Sequence, residues 1–324
     1  MSHQILPQKL QASDLCGDSF DWTVNYLNNW QQFVSVNGTN SEKIRLTSNP
    51  QDSLLGPRPL SIFTYDLPLT LDSKLKLFAN DSTAYIIGNS TASISIQIQE
   101  LLHQLLTWSK LNSMFIHPVK PEVMFISKIP FIGPNRLISI DHKPIIRVSR
   151  SSCLGVKLHN KLNWAPHIKM VTSNFNAKIS KLKQMKSFKH STPESIYFKG
   201  ILPSVTYCIS QWGSSNLLAD LKDLHIHAAR LINNINISTP KYEGLSMAKW
   251  TSLHFMYKRR LACIACQAFN NLAPDDINNL FTKHRTPYNL RDNVWLELVS
   301  QNPKPYMIPS LIILVLFGIV YLAS

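Results

Sequence analysis

Acid is what this sequence is short of. Asp and Glu number 19 against 33 Lys and Arg, for a formal net charge of +14 and a pI near 9.6. Charged residues are 16% of the chain, against about 25% in an average domain. The imbalance therefore comes from scarce acids rather than abundant bases. Such a chain is drawn to phosphate, on nucleic acid or on an anionic membrane face, and is a poor binder of cations or basic peptides. Cysteine is scarce too. Cys16, Cys153, Cys208, Cys263 and Cys266 are odd in number and irregularly spaced, which excludes a disulfide framework. Cys263 and Cys266 form a CxxC with no second pair to complete a zinc site. Their setting, LACIACQAF, reads as a helix with core thiols. No basic stretch followed by an apolar run opens the chain, so no secretory leader is expected. Apolar residues, at 44%, are sufficient for a packed core, which excludes wholesale disorder. A length of 324 residues suits about two domains.

Asp18 opens a short helical pattern through Phe20, Val24 and Leu27. QFVSV and KIRLT read as strands joined around Asn37-Gly38, a hairpin signal. KLKLFA and TAYIIG form a second strand pair with its turn at Asn80-Asp81-Ser82. Ile94, Ile98, Leu101, Leu105 and Trp108 have the spacing of an amphipathic helix about four turns long. VMFIS, LISI and PIIRV are short strand candidates. From Ser151 the character changes: residues 151–190 hold eight Lys, three His and no Asp or Glu. There Ile168, Val171, Phe175, Ile179 and Leu182 repeat at helical spacing. Further helical segments are predicted over 192–210, 217–233 and 246–271. The first half is α+β and the second mainly helical, with a boundary near 150–160.

The far end differs again. After Lys304 no charged residue appears, and Met307–Ser324 reads MIPSLIILVLFGIVYLAS. As a helix, that run would span about 27 Å, just enough for a hydrocarbon core of about 30 Å. Lys304 and Tyr306 would be its interfacial anchors. The expectation is a membrane helix over 307–324, single-pass, with a buried core segment or out-of-frame sequence as the alternatives.

A stiff hairpin with a carboxylate at its tip can present a metal ligand, and phosphoryl transfer through two ions about 4 Å apart needs several carboxylates from at least two strands. Here the tip reads Phe78-Ala79-Asn80-Asp81, with one. LKLFANDSTAYIIGNS resembles the catalytic hairpin, F/Y-A-D-D, of reverse transcriptases of non-LTR (LINE-type) retrotransposons. SNPQDSLLGPRPLSIFTYDLP resembles that family's G-V-P-Q-G-S block through Pro50, Gln51, Ser53, Leu55, Gly56, Pro57, Leu60, Tyr65, Asp66, Leu67 and Pro68. FDWTVNYLNNWQQFVSVNG resembles the segment before that block. LLTWSKLNSMFIHPVKPEVMFIS resembles the segment after the hairpin, where Lys120 matches a lysine near the incoming nucleotide. CLGVKLHNKLNWAPHI resembles the primer-gripping turn Y-L-G-V-x-L-D, and SIYFKGILPSVTYCISQWG and LLADLKDLHIHAARLI resemble the thumb helices beyond it. The resemblance runs from about residue 1 to 293, and six blocks stand in the family's order.

The departures matter equally. Asn80 replaces the first Asp of the catalytic pair, and a neutral amide gives one weak oxygen where a divalent ion wants an anionic one. Asp52 stands where the family has Gly. The family's other carboxylate lies in a block F-D-x-x-x-A-F-D, and the chain begins at Met1-Ser2-His3, which resembles the residues just after it. The resemblance thus implies an incomplete polymerase palm over 1–150, exposing a sheet edge for want of its first strand. A helical thumb and C-terminal region over 151–300 follows, basic at 157–189, and then the hydrophobic tail 307–324. It implies RNA-directed DNA synthesis with magnesium in the parent family. For this chain no cofactor and no small-molecule ligand is expected. Asp81 is a residual catalytic and metal residue, insufficient alone, while Gln51 and Lys120 lie on the nucleotide and template side. Lys157, Lys161, Lys178, Lys181 and Lys183 would meet nucleic acid, RNA or an RNA–DNA hybrid, without sequence preference. The expectation is a catalytically inactive remnant. The alternative is a non-enzymatic tail-anchored membrane protein with a basic cytoplasmic face; without an anchor, a cytoplasmic or nuclear protein. A third option, an active polymerase completed by a partner, is opposed by Asn80.

Bland readings stand beside these. Asn-Asp is ordinary turn chemistry. Trp22, Trp108, Trp164, Trp212 and Trp250 read as core rather than as base-stacking platforms. His225 and His227 face apart on a helix and make no metal pair. Lys258, Arg259 and Arg260 read as helix surface.

Overall fold

Ile94, Ile98, Leu101, Leu105 and Trp108, spaced as one face of a helix, lie on the helix Thr91–Leu111 and are all buried. The computed structural model describes residues 5–27, 30–45, 57–71, 74–88, 90–117, 119–127, 137–185, 191–285, 294–298 and 311–320. The chain divides into two compact units, Met1–Cys153 together with Met307–Ser324, and Leu154–Tyr306. Helices mix with small, mostly antiparallel sheets, an α+β fold.

In the first unit the central element is a sheet. Lys74–Phe78 and Asp81–Gly88 form an antiparallel hairpin in which Phe78 pairs with Asp81 and Lys74 with Tyr85. Its two-residue turn is Ala79-Asn80, with Ala79 at φ 51, a left-handed conformation more common in Gly or Asn. Along Asp81–Gly88 burial alternates: Ser82, Ala84 and Ile86 are buried, whereas Asp81, Thr83, Tyr85 and Ile87 are not. Ala84 and Ile86 join Ile94, Ile98, Val123, Phe125 and the buried face of Thr91–Leu111 in one core.

The other edge of Asp81–Gly88 is also paired. Leu311–Val320 runs antiparallel to it, with Ile312 opposite Ile87 and Gly318 opposite Asp81. The same strand pairs on its far side with Glu122–Ile126, and its end pairs with Phe115–Ile116. Ile146–Arg147 extends the sheet, parallel to Glu122–Ile126. This corrects two expectations. Asp81–Gly88 is not left as an edge strand, because Leu311–Val320 pairs with it, and the sheet ends at Lys74–Phe78. Nor is the tail a transmembrane helix: among the described residues no helix is long and apolar enough to cross a membrane. The single-pass membrane localisation falls with it. A continuous apolar run fits a buried strand as well as a helix. Here five β-branched residues among ten, Ile312, Ile313, Val315, Ile319 and Val320, and two strand edges needing partners favour the extended form.

Helix Ile5–Ala12 buries Leu6 and Leu10 and carries a half-buried cation. Lys9 Nζ donates to both carboxylate oxygens of Asp66 at 2.8 Å and to the Phe63 carbonyl at 2.7 Å. It also lies over the rings of Phe63 and Trp108, 4.7 and 5.0 Å from their centroids. Burial pulls the Lys9 pKa down, against the opposing pull of Asp66. Beside this core, Asn37 and Gly38, both at positive φ, turn the short hairpin of Ser35–Val36 and Thr39–Asn40, as the sequence predicts. Trp22 departs from its core reading. It is 56% exposed and stacks on Tyr26 at 5.5 Å.

The second unit is helical. Ala165–Lys183 buries Ile168, Val171, Phe175, Ile179 and Leu182, the whole predicted stripe. Ser191–Ile196 leads into a wide turn, Tyr197–Ile201, and then into Leu202–Thr206. Ala219–Ile232 and Leu253–Phe269 follow. At the centre, Tyr197 stacks on Trp250 at 4.5 Å and its hydroxyl donates to His225 Nδ1 at 2.5 Å. His225 Nε2 lies 2.9 Å from the Thr251 carbonyl, which can only accept, so Nε2 carries the proton. Cys263 and Cys266, read as core thiols, are exposed, because Leu253–Phe269 buries only Leu253 and Ala268.

Two predictions follow from these contacts. Asp66→Ala strands the Lys9 cation at a side-chain exposure of 13%, so it should cost about 1–3 kcal/mol in urea unfolding. Lys9→Met, which removes the charge, should cost less. In the second unit burial lowers the pKa of His225. It also lowers those of His167, helped by Lys157, and His227, helped by Lys183 and Arg230. The unfolded chain then binds more protons than the folded one below about pH 6.5. The contribution of these histidines is complete above that pH and is lost as pH falls, so the urea midpoint should drop between pH 7.5 and 5.5. His225→Gln should make that drop shallower.

Candidate functional site

Asp81 begins its strand at the hairpin tip and is exposed, as are Ala79 and Asn80. Among the described residues its carboxylate meets Lys120, whose Nζ stands 3.7 Å from Asp81 Oδ1, with both side chains about half-exposed, at 49% and 56%. Lys120 is held by its own turn. His117 Nδ1 accepts hydrogen bonds from the backbone N–H groups of Val119 and Lys120, both at 3.1 Å. The structure therefore brings together two of the residues singled out from sequence, one from the hairpin and one from the segment after it. At such exposure the ion pair contributes about 0–1 kcal/mol. Its weight is local, since it neutralises the tip carboxylate. Gln51 and Asp52 lie outside the described residues.

A pair of divalent ions needs more than Asp81 offers. Among the described residues no group of three His, Cys, Asp or Glu side chains could hold a metal ion. Glu122 shares a sheet with Asp81 but is engaged elsewhere, accepting from the Ser151 hydroxyl at 2.6 Å. Asp66 is committed to Lys9. Among the described residues, no set of ligands fits a two-metal centre.

The basic segment is built on the hairpin and helix that open the second unit. Leu154 and Gly155, at φ 47 and 81, make the tight turn of the LGV motif. Val156–His159 follows, with Lys157 exposed, and Lys161 is exposed in the next turn. The Lys157 backbone N–H donates to His167 Nδ1 at 3.2 Å, which ties this strand to the first turn of Ala165–Lys183. His167 itself is buried against Trp212, with ring centroids 5.5 Å apart. Lys178, Lys181 and Lys183 lie near the other end of the helix, roughly 20–25 Å along its axis at 1.5 Å per residue. At about 100° per residue Lys178 and Lys181 share one flank, and Lys183 points about 160–200° around the axis from Lys181. Lys178 Nζ is partly used, donating to Ser204 Oγ at 2.8 Å. Lys181 and Lys183 also oppose the negative end of the helix dipole.

Two features were not legible from the pattern. Lys183 and Arg230 both depress the proton affinity of His227, so the cations of Ala165–Lys183 and Ala219–Ile232 act on one place. Arg230 also donates to the Thr239 carbonyl. The sequence carries the signal only as scattered bases on two amphipathic helices. The second feature is the neighbour of Asp81 across the sheet, Gly318, about 240 residues away in the chain. Local pattern holds no information on such a pairing.

No family model matches the chain, and no solved structure matches it. Two curated proteins of Drosophila melanogaster do. "Probable RNA-directed DNA polymerase from transposon BS" is 24% identical over 205 residues, covering 58% of this chain and 22% of the relative. "Probable RNA-directed DNA polymerase from transposon X-element" is 24% identical over 195 residues, covering 57% of this chain and 20% of the relative. The chain thus spans about a fifth of the length of these relatives. Over the matched part it is a LINE-type, reverse-transcriptase-like sequence.

Proposed function

We propose that this LINE-type, reverse-transcriptase-like chain is a remnant of an RNA-directed DNA polymerase. In this reading it does not polymerise and still binds nucleic acid without sequence preference. Residues 1–150 correspond to part of a palm and 151–300 to a thumb and C-terminal region, basic at 157–189. Asp81 is the residual catalytic carboxylate, Asn80 stands in for its lost partner, and Gln51 and Lys120 lie on the nucleotide and template side.

The observation that carries the loss of activity is the hairpin tip. Nucleotidyl transfer places negative charge on a pentavalent phosphorus and on the attacking and leaving oxygens, and two divalent cations neutralise it. Holding both cations takes several anionic oxygens from separate strands. Asn80 contributes none, and Asp81 is paired with Lys120 at 3.7 Å. Losing one preorganised electrostatic partner typically costs about 3–4 kcal/mol, or 10²–10³ in rate. Losing the ion pair's ligand set costs far more. A cation at Lys120 cannot substitute, because it is one charge on a flexible stem rather than two ions bridging the phosphates.

Binding is supported by charge. Residues 151–190 contain no acid, and the lysines along 157–183 project from a hairpin and helix whose apolar face is already satisfied by its own core. Phosphate attraction of this kind needs no base contacts and is screened by salt. The ligand class is RNA or an RNA–DNA hybrid, and no cofactor is required for it.

Primer extension on an RNA template with magnesium or manganese should show no incorporation above an Asp81→Ala control. Incorporation above that control ends the remnant reading. Binding to an RNA–DNA hybrid should weaken steeply with salt. Lys181→Ala and Lys183→Ala should each flatten the slope of log K against log salt by about 0.7–0.9, and Lys178→Ala should do less, since Ser204 already engages it. An unchanged slope in the triple variant means that the nucleic acid does not meet this helix.

A further inference from the structure

Ser252 caps the helix Leu253–Phe269, its hydroxyl accepting from the Phe255 backbone N–H at 3.2 Å. Of its 17 residues the helix buries two, Leu253 and Ala268. At about 100° per residue these lie about 60° apart, on one side of the axis. Phe255, Arg259, Ala262 and Cys266 follow one another at spacings of four, three and four on the opposite side. All four are exposed, Phe255 to 58%. Ala165–Lys183 shows how a solvated helix face is built in the same unit: apart from Ala177, its exposed residues are polar or charged. The outward stripe of Leu253–Phe269 has instead the spacing of a helix–helix seam. A helix that is apolar on two sides is suited to being covered on both. Among the described residues the second side has no cover.

The charge of this face selects its occupant. The helix carries Lys258, Arg259 and Arg260 and no Asp or Glu. Arg259 stands inside the stripe, while Lys258 and Cys263 flank it on opposite sides. A second copy of the chain would set its own Lys258 and Arg259 against these two, with no carboxylate on either helix to meet them. A phosphate backbone would satisfy the cations and leave Phe255, Ala262 and Cys266 in water. A helix with apolar residues at the same alternating spacing, and Asp or Glu beside them, satisfies both the cations and the stripe.

We propose that the outer face of Leu253–Phe269 is a docking surface for an acidic amphipathic helix of another protein. Phe255, Ala262 and Cys266 pack against the partner's apolar stripe, and the small Ala262 lets the two backbones approach closely. Arg259 pairs with a carboxylate of the partner, which fixes the register, as a charged residue inside a seam does. Alternating spacings of three and four set the two helices about 20° from parallel. Nothing in this surface depends on whether the chain polymerises or binds RNA.

The exposed thiols allow the face to be read directly in the full-length, reduced chain. The probe is a labelled helical peptide of about 14 residues, with leucines at alternating spacings of three and four and glutamates between them. Its fluorescence anisotropy should show binding that weakens with salt. Saturating peptide should slow alkylation of Cys266 by N-ethylmaleimide about tenfold, as mapped by mass spectrometry. Alkylation of Cys16, which is exposed in the first unit, should not change. Arg259→Glu leaves the buried side of the helix intact, so it should weaken peptide binding about tenfold or more with no change in circular dichroism. Absence of binding, binding that leaves Cys266 unprotected, or equal binding of a peptide with lysine in place of glutamate overturns the proposal. So does protection of Cys266 on raising the concentration of the chain alone, which marks a second copy, or on adding an RNA–DNA hybrid, which marks nucleic acid.

Discussion

Hydrogen bonding along both edges of Asp81–Gly88 is the constraint on which the first unit depends. That strand packs Ala84 and Ile86 into the core, turns Asp81 towards solvent at its start and meets the hairpin strand Lys74–Phe78 on one side. Were its second edge buried against apolar side chains without a partner, each orphaned backbone group would cost about 1–3 kcal/mol. The tail supplies the partner. The same act decides the chemistry at the tip, because whatever lies opposite Asp81 is then set by a segment selected for apolar character and not for charge. The strand is fully paired at this place and glycine stands opposite Asp81, and a single register links the two outcomes.

The sequence was most readable where burial and local periodicity coincide. Both long amphipathic helices, Thr91–Leu111 and Ala165–Lys183, bury the residues their spacing marks, and the Asn37-Gly38 turn forms where its dipeptide demands positive φ. It misled where tertiary context decides. Leu311–Val320 is apolar at nearly every position, so it has neither a period of 2 nor one of 3.6, and hydrophobicity alone suggested a membrane. Cys263, Cys266 and Trp22 lie on helices that bury only the residues meeting a neighbour, and these three are left facing water. The candidate site was half legible. Asn80 and Asp81 are visible as a departure from a motif, and Lys120 as a match to one. Their meeting at 3.7 Å, and the glycine on the other flank, depend on contacts distant in sequence.

The second unit organises charge differently. At the centre of its core Tyr197, Trp250 and His225 share one buried stack with a fixed tautomer, and Glu194 meets it from the side, accepting from the Trp250 indole N–H at 3.4 Å. Cations are left on the outside, at both ends of Ala165–Lys183, and they add to burial in disfavouring protonation of His167 and His227. A surface of that sign repels further positive charge and holds phosphate without needing any one lysine in a set position. Such binding tolerates sequence drift far better than a metal centre does, where every ligand must keep its place.

The place taken by Leu311–Val320 asks little of its occupant. Ten residues that are extended, apolar and rich in branched side chains satisfy it, and a strand without alternation has few features to distinguish one alignment from the next. Very many unrelated decapeptides meet that description, including those read by accident from a shifted frame or an untranslated stretch. A sheet edge of this kind is thus easily filled by an unrelated hydrophobic segment, whereas a metal ligand at a set register position is not, so closing a sheet is a far less demanding event than furnishing a catalytic carboxylate.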